Sequence, residues 1–177
     1  QLFVTNDGRL NFTYPTASVG YNPDGQDSGS YGAWAIRPAV IYGDACIAAA
    51  GTSNAMLGIG GYSANDNCNR HFDGNAWSKG GGIITGRNSG AATGTENAAL
   101  FFGGNPSNKT CTEEYNGATW SAGGALGNGR AYLAGAGTQN AGLAFAPNKT
   151  EEYDGIVWST GGTKTVSAQG PGGSGTQ

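Results

Sequence analysis

The chain has 177 residues, a formal net charge of −3 and 34 glycines. Charged residues make up 12% of it, about half the ~25% of an average domain. That leaves no basic surface for a nucleic-acid backbone. No segment approaches the ~20 apolar residues of a membrane span, so membrane insertion is not expected.

The chain begins with Gln1-Leu2-Phe3-Val4 and no charged-then-apolar leader, which reads as a processed chain or a fragment. Leu2 to Val4 reads as a short strand and Leu10 to Tyr14 as a second. Long helices are not expected at this glycine content, because each costs about 1 kcal/mol in a helix relative to alanine.

From Trp34 onward the sequence repeats. Trp34, Trp77, Trp120 and Trp158 are spaced 43, 43 and 38 apart, and periods of this size mark repeat architectures. The expected divisions of a single repeat domain (1–177) are 1–34, repeats at 35–77, 78–120 and 121–158, and a C-terminal piece at 159–177. Arg87 and Arg130 stand ten residues after a tryptophan, where the first unit has Asp44. Gly-Thr follows each tryptophan by seventeen residues, at 51, 94, 137 and 175.

Each unit reads as four short strands. The first is small and apolar: Ile47 to Ala50, Gly90 to Thr93, Leu133 to Ala136. The second carries Leu57/Ile59, Leu100/Phe102 or Leu143/Phe145, two apart on one face. The third ends at Phe72, Tyr115 or Tyr153. An Asp-Gly or Asn-Gly follows, a strong hairpin signal because these residues tolerate positive φ. The fourth strand holds the tryptophan. Trp34, Trp77, Trp120 and Trp158 are therefore expected in the repeat core with Phe72, Tyr115 and Tyr153.

An arginine, a small-residue strand, an apolar strand ending in Gly-Gly, an aromatic-Asp/Asn-Gly and a tryptophan together resemble the kelch repeat. The match spans about residues 34–177 and is clearest from Thr112 to Trp120 and from Gly135 to Asn140. It is similar to compact kelch-like repeats of aquatic bacteriophages and bacteria. The resemblance implies an all-β propeller of about four blades. Galactose-oxidase-like enzymes share that fold, but their copper site needs two histidines, and His71 is the one histidine here.

Gln177 falls where the other units begin their second strand, and Leu2 to Val4 resembles that strand. A composite blade is expected, with its first strand from the stretch after Thr163 and the rest from residues 1–34. It closes within one molecule, or between neighbours as strand donation; the third alternative is a fragment of a longer array.

The chemistry-bearing residues are few. Arg87 and Arg130 are candidates for a ligand rim that grips a carboxylate, or for hydrogen bonds to loop carbonyls. Tyr14, Tyr21, Tyr31, Tyr42 and Tyr62 lie off the repeat register, and Tyr42 and Tyr62 are rim candidates for a sugar face. Glu113/Glu114 and Glu151/Glu152 are adjacent strand residues facing opposite ways, so neither pair is a carboxylate dyad. They are expected to protect outer strand edges. His71 is expected to face outward.

Cys46, Cys68 and Cys111 allow one disulfide, with Cys46–Cys68 the option within one unit. No Cys-x-x-Cys occurs, so zinc is not expected. Asn11, Asn108 and Asn148 head N-x-Thr sequons. Asn65-Asp66-Asn67 and Asp24 to Asp27 offer calcium-type oxygens without EF-hand spacing, and read as turns.

With no nucleophile–base pair, metal cluster or cofactor loop, the chain reads as non-enzymatic. The expectation is an extracellular or virion-surface structural or recognition module, partnered by other structural subunits, by itself or by cell-surface glycans. A head-to-tail glycosylated fibril subunit and a fragment of a carbohydrate-active enzyme are the alternatives.

Overall fold

The structure, a computed structural model, describes residues 39–40, 45–62, 67–146 and 149–163, together with the backbone of 2–4 and 10–12. The chain divides into two units, Gln1–Arg37 and Pro38–Gln177. In the first, β1 (Leu2–Val4) and β2 (Leu10–Phe12) pair antiparallel, with Phe3 opposite Asn11. This is the hairpin expected from the N-terminal sequence. Trp34, Tyr42, Asn148 and the C-terminal strand of the composite blade lie outside the described residues.

The second unit contains three four-stranded antiparallel sheets, each a meander in chain order. The first sheet is β3 (Ala48–Thr52), β4 (Ala55–Ile59), β5 (Asn69–Phe72) and β6 (Trp77–Lys79). The second is β7 (Ala91–Thr95), β8 (Ala98–Phe102), β9 (Thr112–Tyr115) and β10 (Trp120–Ala122). The third is β11 (Ala134–Gly137), β12 (Gly142–Phe145), β13 (Thr150–Tyr153) and β14 (Trp158–Thr160). All regular structure among the described residues is β.

The register repeats with the sequence. Phe72 lies opposite Trp77, Tyr115 opposite Trp120 and Tyr153 opposite Trp158. The hairpin turn between each pair is closed by one side chain. Asp73, Asn116 and Asp154 each accept two backbone N–H bonds through Oδ1. The shorter last period also has a local cause. The connection from second to third strand covers 60–68 and 103–111 in the first two sheets but 146–149 in the third, five residues fewer.

Small first strands let the sheets approach. A Cβ on Gly135 in β11 would stand 2.8 Å from Phe102 Cζ of the second sheet. At Gly94, φ is +100° and a Cβ would meet Ala98 O at 2.2 Å, so the tight β7–β8 turn requires glycine.

The second sheet is buried on both faces. Ala99, Phe101, Tyr115 and Trp120 join Leu57 and Ile59 of the first sheet in one core. Leu100 and Phe102 point the other way and join Leu133, Ala144 and Tyr153 of the third. Strand alternation thus explains why β8 reads Ala-Ala-Leu-Phe-Phe without a polar residue. Phe72, Tyr115, Tyr153 and Trp120 are buried as expected, while Trp77 and Trp158 are half-buried.

Candidate functional site at the seams between the sheets

Arg87 and Arg130 sit in the links that lead into β7 and β11. Arg87 is 0% exposed, so of its two expected roles the ligand rim is corrected and the bonding of backbone carbonyls is the one found. Its Nε donates to Gly103 O at 2.9 Å, Nη2 to Phe101 O at 3.0 Å and Nη1 to Thr85 O at 2.9 Å. Nη1 also pairs with Glu113 Oε1 of β9. The guanidinium carbon lies 4.1 Å from the centre of the Phe101 ring. All three nitrogens of the fork have partners, so none remains for a ligand.

Glu113 completes this clamp and is likewise not at a solvent edge. It is buried and also accepts the Ile84 and Thr85 amides, at 2.6 and 3.1 Å. The third sheet repeats the arrangement more sparsely. Arg130 Nη1 stands 2.6 Å from Glu151 Oε1, and Glu151 accepts the Gly127 amide at 2.7 Å. Arg130 keeps more exposure, 13% of its side chain, and lacks the backbone contacts of Arg87.

His71 does not simply face outward. It lies in the seam between the first and second sheets, with Nδ1 3.0 Å from Glu96 Oε1 and Nε2 3.1 Å from Tyr115 Oη. A carboxylate only accepts, so Nδ1 carries a proton toward Glu96, and Nε2 shares a hydrogen bond with the tyrosine hydroxyl. The Tyr115 hydroxyl is held above its ordinary pKa, first by burial and then by the Glu96 charge.

The next seam uses the same positions with other chemistry. Glu114 stands one repeat after His71, and its Oε1 accepts the Tyr153 hydroxyl at 2.5 Å. Burial first, then the hydrogen bond to Glu114, pushes Tyr153 up to about 12. Gln139 stands one repeat after Glu96 and donates to Ala99 O and Tyr115 O, at 3.1 and 2.6 Å. Trp158 Nε1 donates to Thr112 Oγ1 at 2.9 Å, and Thr93 Oγ1 bonds Gly137 O.

A backbone ladder also crosses both seams. Ser89 N donates to Cys46 O at 3.0 Å and Tyr132 N to Ser89 O at 2.8 Å. Cys46, Ser89 and Tyr132 all hold positive φ, at 59°, 55° and 55°. They occupy one repeat position, twelve residues after a tryptophan.

The other expected residues are dispersed. Cys46 is exposed and Cys68 buried, and both are thiols, so the Cys46–Cys68 disulfide is not formed. Tyr62 is 71% exposed, as a rim residue would be. Asn108 is exposed in the loop before β9. Asn11 lies in β2. Among the described residues no three His, Cys, Asp or Glu side chains gather as metal ligands would.

The seam partners Glu96, Gln139 and Tyr132 were not anticipated from the sequence. Their shared repeat positions are the signal that points to them. No protein-family model matches the chain, and no curated protein matches it either.

Proposed function

We propose that the protein is a rigid, non-enzymatic building block of an extracellular assembly or virion surface, folded as a kelch-type propeller of about four blades. One observation carries this reading. The side chains best suited to chemistry, Arg87, Glu113, Glu151, His71, Glu96, Glu114 and Tyr153, are committed to holding strands and sheets together.

The fourth blade is the composite of the two chain ends. Two features support it. Leu143 and Phe145 occupy the β12 positions that in β4 and β8 face the next sheet, yet both are only half-buried. The β1–β2 hairpin, moreover, is a two-stranded antiparallel sheet, as the second and third strands of such a blade would be. Electron microscopy of the native particle tests this reading. Filaments or virion-attached spikes are expected; free globular monomers with saccharide-hydrolysing activity would overturn it. Deleting residues 1–14 should unfold the protein or change its assembly state.

Exposure of Asn108 favours a second reading, a glycosylated fibril subunit. Intact mass spectrometry checks it: a glycan mass at Asn108 supports it, and the bare polypeptide mass removes it.

A further inference from the structure

A charge of the opposite sign fills the clamp position of the first sheet. Arg70 of β5 is 0% exposed and stands at the repeat position of Glu113 and Glu151. Its Nη1 donates to Gly60 O at 2.9 Å. Gly60 is the equivalent of Gly103, whose carbonyl takes Arg87 Nε at 2.9 Å. A guanidinium therefore bonds the same carbonyl in both sheets. In the second sheet it arrives from the link before β7, and in the first from the third strand.

The neighbouring position changes with it. Glu113 lies opposite Phe101, whose ring covers the Arg87 guanidinium. Arg70 lies opposite Gly58, which has no side chain. A Cβ on Gly58 would stand 3.7 Å from the Trp77 ring and 4.0 Å from Arg70 Cβ, leaving a phenyl ring little room.

The sign changes at the link position too. Asp44 stands ten residues after Trp34, as Arg87 and Arg130 stand ten after Trp77 and Trp120. It lies outside the described residues. Positions 44, 58 and 70 thus differ as a set from 87, 101 and 113. Either charge change made alone would set two like charges together at a buried position, where like charges disfavour one another.

We propose that Asp44 and Arg70 form a charge-reversed clamp that addresses the link before β3 to the first sheet. A link bearing aspartate fits a third strand bearing arginine and is repelled by Glu113 or Glu151. A link bearing Arg87 or Arg130 is refused by Arg70. In a chain of closely similar units, that discrimination keeps each link on its own sheet. The address sorts sheets and not copies, so it operates whether the composite blade closes within one molecule or between neighbours.

Denaturant unfolding of the full chain tests the pair. D44R and R70E each oppose like charges, and each should lower the folding constant at least about a hundredfold, as loss of one partner of a buried pair does. D44R/R70E rebuilds the order of Arg87 and Glu113, and should recover at least about tenfold over either single variant. Where a single reversal does not fold, the gentler cycle of D44N and R70M reads the same coupling. Losses that add overturn the proposal, as does coupling of R70M to D66N in place of D44N. The address has its own test. Refolded from denaturant in buffer where both native states are stable, D44R/R70E should return less native protein and more mispaired aggregate than the unsubstituted chain, because every link then fits every sheet. Equal yields from the two overturn the address.

Discussion

Between the first and second sheets the Tyr115 hydroxyl bonds an imidazole; between the second and third, Tyr153 gives its hydroxyl to a carboxylate. The backbone geometry is shared, as the Cys46–Ser89–Tyr132 ladder shows. The side chains differ as sets. Where His71 occupies the acceptor position, the turn supplies Glu96 to bond its Nδ1. Where Glu114 occupies it, the turn supplies neutral Gln139, which bonds backbone carbonyls instead. A second carboxylate beside Glu114 would repel it. The repeat thus fixes positions, and the local charge balance decides which residues fill them.

The clamps within the second and third sheets should differ most. Arg87 is enclosed with every nitrogen bonded, so Arg87→Met leaves Glu113 buried and unpaired, at a cost of about 3–5 kcal/mol. Arg130 has a buried guanidinium too, but it makes only the ion pair and no bonds to backbone carbonyls. Arg130→Met should cost less, about 1.5–3 kcal/mol. Denaturant unfolding of both variants checks the order, and equal losses would erase the distinction.

Exchanging the seam residues comes next. His71→Glu places a carboxylate against Glu96 and should destabilise by about 1.5–3 kcal/mol. Glu114→His keeps an acceptor for Tyr153 and has neutral Gln139 at the repeat position of Glu96, so a loss of about 1 kcal/mol or less is expected. Thermal melts that rank these two the other way would contradict the charge-balance account.

The Tyr153 seam also predicts an alkaline response. In the fold Tyr153 holds its proton up to about 12, against about 10 when unfolded. Its contribution is complete below about pH 10 and is lost as pH rises toward about 12. Tyr153→Phe should be less stable near neutrality but lack that alkaline decline, as stability measured across pH 9–12 will show.

The smallest effect concerns the turns. Asp73 and Asp154 have pKa values lowered by turn amides, so their contribution is present above the unfolded carboxylate value and fades as pH falls below it. Asn116 makes the same turn bonds without titrating. The double variant D73N/D154N should therefore keep its neutral-pH melting temperature and show a shallower loss at acid pH.

Tryptophan spacing and the Asp/Asn-Gly signals placed the first and second strands of the three sheets to within one or two residues, with the aromatic end of each third strand and the tryptophan of each fourth, because hairpins are local. The clamps were less visible. An arginine before a strand looks like a surface charge until a glutamate from a strand two pairings away encloses it. The repeat carried a hint, since Arg87 and Glu113 recur as Arg130 and Glu151, and the first unit has Asp44 and Arg70 at those positions. His71 was harder to read, because its partners Glu96 and Tyr115 belong to a neighbouring sheet. Single-unit alternation says which way a residue points, but not what stands opposite.

A double-mutant cycle between Glu114 and Tyr153 tests most directly whether such side chains join the sheets. Glu114→Ala, Tyr153→Phe and the double variant would be unfolded in denaturant at neutral pH. The account predicts a coupling of about 0.5–3 kcal/mol across the seam. Losses that add to within about 0.3–0.5 kcal/mol would show the hydroxyl and carboxylate acting independently, and would contradict it.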